Sequence, residues 1–158
     1  MTAKKVTGPA LPAAGHQWTY SYGPANGCWY PGTSGCNASS PTTRTVSVTD
    51  PQGAVTRYTF GNRFTVDEGL LLKTESGWNG TTALRTVEMT YATMGDTWSI
   101  RTRGDAIIAG LKHPQRKVVT TQQGRTFTWE VASDCSGIPY CFDAFARPTK
   151  VIKSSTAP

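Results

Sequence analysis

The stretch Val48–Phe60, VTDPQGAVTRYTF, constrains the fold more than any other part of the chain. Asp50, Pro51 and Gly53 occupy the first, second and fourth places of a tetrapeptide, the preferred chemistry of a type I turn followed by a residue that tolerates positive φ. On either side the residues alternate, with Val46 and Val48 sharing one parity before the turn and Tyr58 and Phe60 sharing one after it. Alternation of period two marks a strand with one apolar face, so the stretch predicts a hairpin whose rings need a neighbour to cover them.

The same punctuation recurs. Asp67-Glu68-Gly69, Asn79-Gly80 and Gln123-Gly124 read as turns between alternating runs. Strands are predicted at 17–23, 43–49, 55–60, 70–74, 97–103, 116–121, 125–131, 140–142 and 149–153. Over Thr81–Thr93 a helix competes, but Val87, Met89 and Tyr91 alternate and favour a strand. Periodicity leaves Asp105–Leu111 open between a helical turn and a buried strand. About ten strands at eight- to twelve-residue spacing predict an all-β, mainly antiparallel sheet of stacked β-hairpins.

With 158 residues the chain is the length of one domain and is long enough to bury a core. Its 16 Gly, 10 Pro and many Thr suit short strands and turns better than long helices. Residues 1–15, with Pro9 and Pro12, read as a flexible tail, residues 16–154 as a single β domain, and 155–158 as a second tail. No run of eighteen apolar residues is present, so no transmembrane segment is expected, and the N-terminal stretch lacks the apolar core of a signal peptide. The formal charge is +6, but the cations are scattered. The densest piece, Lys112–Lys117, reads as a solvated loop, and nucleic acid is not an expected partner.

Four cysteines form two local pairs, Cys28 with Cys36 and Cys135 with Cys141, each closing a short loop rich in Gly or Pro. Local disulfides are the preferred pairing of the three connectivities; free thiols and a four-thiolate zinc site are the alternatives, the latter lacking CxxC-like knuckles. Disulfides would place the chain in an exported or cell-surface setting.

Catalysis finds little footing. His16 lies in the tail and His113 precedes Pro114, and neither has a local carboxylate or nucleophile. The adjacent acids Asp67 and Glu68 fall in a turn. No nucleophile elbow, P-loop, HExxH or EF-hand pattern occurs, so no catalytic residue, metal or cofactor is assigned. Arg103-Gly104-Asp105 reads as a chance tripeptide, and Asn37-Ala38-Ser39 and Asn79-Gly80-Thr81 are glycosylation sequons relevant only in a secretory pathway. Among the aromatics, Trp29 and Tyr30 inside the first cysteine loop are the candidates for binding a sugar, whereas Trp18, Tyr20 and Tyr22 read as core.

The segment VTDPQGAVTRYTF resembles the RHS or YD repeat, whose pattern sets Asp-Pro-x-Gly at a hairpin turn, Thr-x-Tyr-x-Tyr on the return strand and Asp-x-x-Gly-Arg at the next corner. A second, partial likeness is FDAFARPTKV, with Phe142 for the Tyr, Asp143 and Arg147 in place, and Ala146 for the Gly. In the first unit the corner Phe60-Gly61-Asn62-Arg63-Phe64 lacks its Asp. The resemblance implies structural roles for Asp50, Pro51, Gly53, Tyr58, Phe60, Phe142, Asp143 and Arg147. It also implies a non-enzymatic scaffold segment of a shell-like wall in an exported, surface or toxin-associated protein, with neighbouring repeats or a protein cargo as partners. The alternative is a carbohydrate- or polyanion-binding β module using the aromatics of the first cysteine loop.

Overall fold

The computed structural model describes residues 1–23, 39–63, 66–93, 96 and 113–156. Nine strands are present among them: β1 (Ala3–Val6), β2 (His16–Tyr22), β3 (Thr43–Thr49), β4 (Val55–Gly61), β5 (Leu71–Ser76), β6 (Arg85–Tyr91), β7 (Gln115–Gln122), β8 (Arg125–Val131) and β9 (Val151–Thr156). They lie in one sheet in sequence order, every neighbouring pair antiparallel. The fold is all-β, and the nine described strands compare with about ten expected. The expected strand at 97–103, the undecided segment 105–111 and the Arg103-Gly104-Asp105 tripeptide lie outside the described residues.

Register turns the alternation of each strand into two faces of one sheet. One rung runs Tyr22, Val46, Tyr58, Thr74, Val87, Thr120, Phe127 and Ser155 through successive strands. The rung beside it runs Ser21, Ser47, Arg57, Glu75, Thr86, Thr121, Thr126 and Thr156. Side chains of paired residues point to the same side, so the first rung belongs to an aromatic and aliphatic face and the second to a polar, threonine-rich face. β2 shows the consequence directly: Trp18 and Tyr20 are half-buried while Gln17, Thr19 and Ser21 are exposed.

Among the described residues, apolar burial is concentrated in one part of the sheet. Ala92, Val131, Ala132, Cys141 and Phe142 form the buried core, and Trp129, Cys135 and Tyr140 pack against it. The excursion 132–150 between β8 and β9 is held to the sheet by main-chain bonds, Cys141 N to Ala132 O at 2.8 Å and Ala132 N to Lys150 O at 3.0 Å.

Several expectations meet a different outcome. Residues 1–15 contain β1, which pairs with β2 from Ala3–Thr19 to Val6–His16. All four β1 residues are exposed, so the strand is held by its ladder and by Lys4 Nζ lying 5.6 Å from the Trp18 ring centroid, neither of which a hydrophobic pattern reveals. At the other end β9 runs to Thr156, into the stretch read as a tail. Tyr140–Phe142 is no strand but a single antiparallel bridge between Phe142 and Pro148, because the chain reverses too tightly at Asp143 for a ladder to continue. Over 81–93, where a helix competed, β6 forms.

Candidate functional site

The functional candidates of this chain are its corners, its one-sided aromatic face and a buried charge cluster. At the first corner the Asp50 carboxylate accepts the N–H groups of Gln52 (2.9 Å) and Ala54 (2.8 Å) at Oδ1. Gly53 N–H donates to Asp50 O at 3.0 Å, Asp50 N–H donates to Ala54 O at 2.9 Å, and Gly53 sits at φ 86°. Pro51 presets the turn and Gly53 takes the left-handed conformation at no steric cost.

The second corner, Asp143–Arg147, repeats that bonding residue for residue. Asp143 Oδ1 accepts Phe145 N–H (2.8 Å) and Arg147 N–H (3.0 Å). Ala146 N–H donates to Asp143 O at 3.1 Å, and Asp143 N–H donates to Arg147 O at 2.9 Å. Arg147 adds its guanidinium, Nε to Asp143 Oδ2 at 2.7 Å, and these bonds hold the Asp143 carboxyl below the usual carboxylate range. Ala146 occupies the glycine position at φ 64°.

The corner after β4 finds its acid in an unexpected place. Asp67 lies four residues downstream of Arg63 and accepts its main-chain N–H at 3.0 Å, its Nε at 2.9 Å and its terminal guanidinium nitrogen. Asp67 is 8 % exposed, and its hydrogen bonds raise the Arg63 pKa further. This clamp was hidden in the sequence because the repeat pattern sets the acid before the arginine, whereas here it follows. Glu68, its neighbour, bridges to Gly61 and shares no site with it.

Tyr58 and Phe60, expected on one face, stack with ring centroids 6.5 Å apart at 27° between planes. Phe142 is 3 % exposed and belongs to the core. Cys135 and Cys141 form a disulfide with Cα atoms 5.4 Å apart. Asp134 approaches Cys141 Sγ, but bridged sulfurs are not thiolate ligands and the group carries no metal assignment. Cys28, Cys36, Trp29 and Tyr30 lie outside the described residues.

A charge cluster that sequence reasoning missed sits on the polar face. Arg57 and Glu75 are directly paired across β4 and β5, with Arg57 Nε donating to Glu75 Oε2 at 2.7 Å. Lys73 Nζ stands 3.1 Å from Glu75 Oε1, and the Arg57 guanidinium lies 3.6 Å from the Trp78 ring centroid. Glu75 is 4 % exposed, and the Arg57 bond holds its carboxyl below the ordinary value. Only the register brings residues eighteen positions apart together, so no local pattern signals the pair.

The carboxylates of Asp50, Asp67, Glu75 and Asp143 are each engaged by main-chain N–H groups or by cations. His113 lines a cleft of about 200 Å³ with Asp67, Leu72, Met89 and Tyr91, its Nδ1 2.9 Å from Ala92 O. The Tyr91 hydroxyl donates to Leu71 O at 2.9 Å, and burial pushes its pKa up. Among the described residues, no serine or cysteine lines this cleft. In the basic stretch read as a loop, Arg116 and Lys117 belong to β7. Arg116 bonds the Tyr140 hydroxyl and Lys117 pairs with Glu130 at 3.1 Å, so neither stands as a bare anion contact. No helix among the described residues is long and apolar enough to cross a membrane. No protein-family model, curated protein or solved structure matches this chain.

Proposed function

We propose that the chain is a non-enzymatic wall segment of the RHS or YD-repeat kind, a scaffold or shell piece of an exported, surface or toxin-associated protein. The observation that carries this reading is the meander of described strands, each paired with its neighbours in sequence, together with two carboxylate-held corners, one closing the β3–β4 hairpin and one inside the β8–β9 excursion. Such a wall gains its stability from neighbour-to-neighbour burial, and its one-sided aromatic face is suited to packing against protein. The Cys135–Cys141 bridge supports an oxidising setting. The two Asp corners support the family resemblance, because both place a residue with positive φ where the repeat places glycine.

Cross-linking mass spectrometry on the protein as the cell produces it tests the reading. Lys73 and Lys117 on the polar face and Lys153 on the aromatic face are expected to cross-link to further β segments or to an enclosed protein. Cross-links confined to one chain, together with saturable heparin or glycan binding that Trp29→Ala abolishes, would overturn it in favour of a carbohydrate- or polyanion-binding module.

A further inference from the structure

We infer that the outer edge of β9 is an assembly edge, and that its partner is β9 of a second copy of this chain, paired antiparallel about a two-fold axis through Ser154. The inference rests on the wall reading and names the partner of one of its edges.

Every β9 residue is exposed, and Val151 and Ile152 are 41 % and 47 % exposed. Among the described residues no strand pairs with β9 on its outer side, so that side presents a row of N–H and C=O groups, the template for pairing with another strand. The two ends of the sheet are not equivalent. β1 is four residues long and half of it is Lys4 and Lys5, the usual means of blunting an edge. β9 has six residues, of which Lys153 alone is charged, and it contains no proline or bulge.

Strand direction excludes head-to-tail growth as the favoured mode. Nine successive antiparallel strands leave β1 and β9 running the same way, so a translated copy would set β1 parallel to β9. Parallel pairing is the weaker ladder and breaks the antiparallel pattern of the wall. A two-fold axis normal to the sheet instead continues it antiparallel, and keeps both aromatic faces on one side.

Charge then selects the register. Val151, Lys153 and Ser155 pair with Val131, Trp129 and Phe127 and share the aromatic face, while Ile152, Ser154 and Thr156 share the polar one. Directly opposed residues must share a face, so the centre of symmetry falls on a residue. Centred on Lys153, the pairing opposes two ammonium groups, which destabilises it. Centred on Ser154, it sets Ile152 against Thr156 and Lys153 against Ser155, uses five residues of β9 and opposes no like charges.

The test uses the 158-residue chain with Ser154→Cys under mild oxidation. The expected result is a covalent dimer on non-reducing gels, with none from Ile152→Cys alone or Thr156→Cys alone and a cross-link restored when those two variants are mixed. Each carries the same extra thiol, so scrambling with the native cysteines is controlled. Light scattering across concentration should show a reversible dimer of the unmodified chain, and Ser154→Lys should weaken it about fivefold or more, with an unchanged far-UV spectrum. A chain that is monomeric at every concentration, or a dimer that cross-links through Lys153→Cys in preference to Ser154→Cys, overturns the inference. Either outcome leaves the wall reading to be judged by cross-links in the native protein.

Discussion

Asp50 and Asp143 do the same work with different fourth residues. Gly53 has open space where a Cβ would stand, so its use at φ 86° is a matter of backbone conformation alone. Ala146 holds φ 64° and carries a Cβ into a region that costs an L-residue about 1–2 kcal/mol. Ala146→Gly removes that strain while increasing the freedom of the unfolded chain, and the net expectation is a gain of about 0.5–1 kcal/mol. Gly53→Ala should lose a similar amount. Urea midpoints at unchanged m-value measure both; a destabilised Ala146→Gly would mean that the methyl contributes more by packing than it costs in strain. The first corner was legible because every bond in it is local and its residue types are those that a turn selects. The Arg63–Asp67 clamp obeys the same chemistry in reversed order, so a directional motif passes over it.

Hairpins are the elements of this molecule, and alternation located them wherever one face was aromatic or aliphatic. It failed at β1, where Ala3-Lys4-Lys5-Val6 offers no alternation and the strand exists because β2 supplies a ladder. It failed again at 140–142, where the five residues closed by Asp143 leave room for one bridge. Between hairpins, register decides what meets, and the Arg57–Glu75 pair is one of its products. Glu75 is an acid whose pKa is lowered in the folded state, chiefly by the Arg57 bond. Its contribution to stability is therefore present above the ordinary glutamate value of 4.5 and is lost as pH falls through the lower folded value. Glu75→Gln should flatten the acid limb of the stability curve. Arg57→Met should cost about 2 kcal/mol at neutral pH, less than a fully buried pair because Lys73 remains and Arg57 is partly exposed. Chemical denaturation at stepped pH reads both, and an acid limb unchanged in Glu75→Gln would place the acid sensitivity elsewhere.

At the scale of the whole molecule the sheet is close to one-dimensional, since each strand leans on the strands before and after it. The core is not distributed in the same way. The buried apolar residues among those described, Ala92, Val131, Ala132, Cys141 and Phe142, all sit near the β6–β8 end, where the disulfide fastens the last excursion. A chain of neighbour couplings with one anchored end opens from the other end, because local unfolding free energies follow local burial. Amide exchange should accordingly be slowest in β7 and β8 and grow faster through β3 and β2 to β1, whose residues are all exposed. Reducing Cys135–Cys141 frees a six-residue separation and should cost about 2–3 kcal/mol. That loss should raise exchange in β8 and β9 while leaving β2 and β3 as they were. Uniform protection before reduction, or a uniform rise after it, would mean that the strands fold as one cooperative unit and that the coupling runs across the face of the sheet instead of along its order.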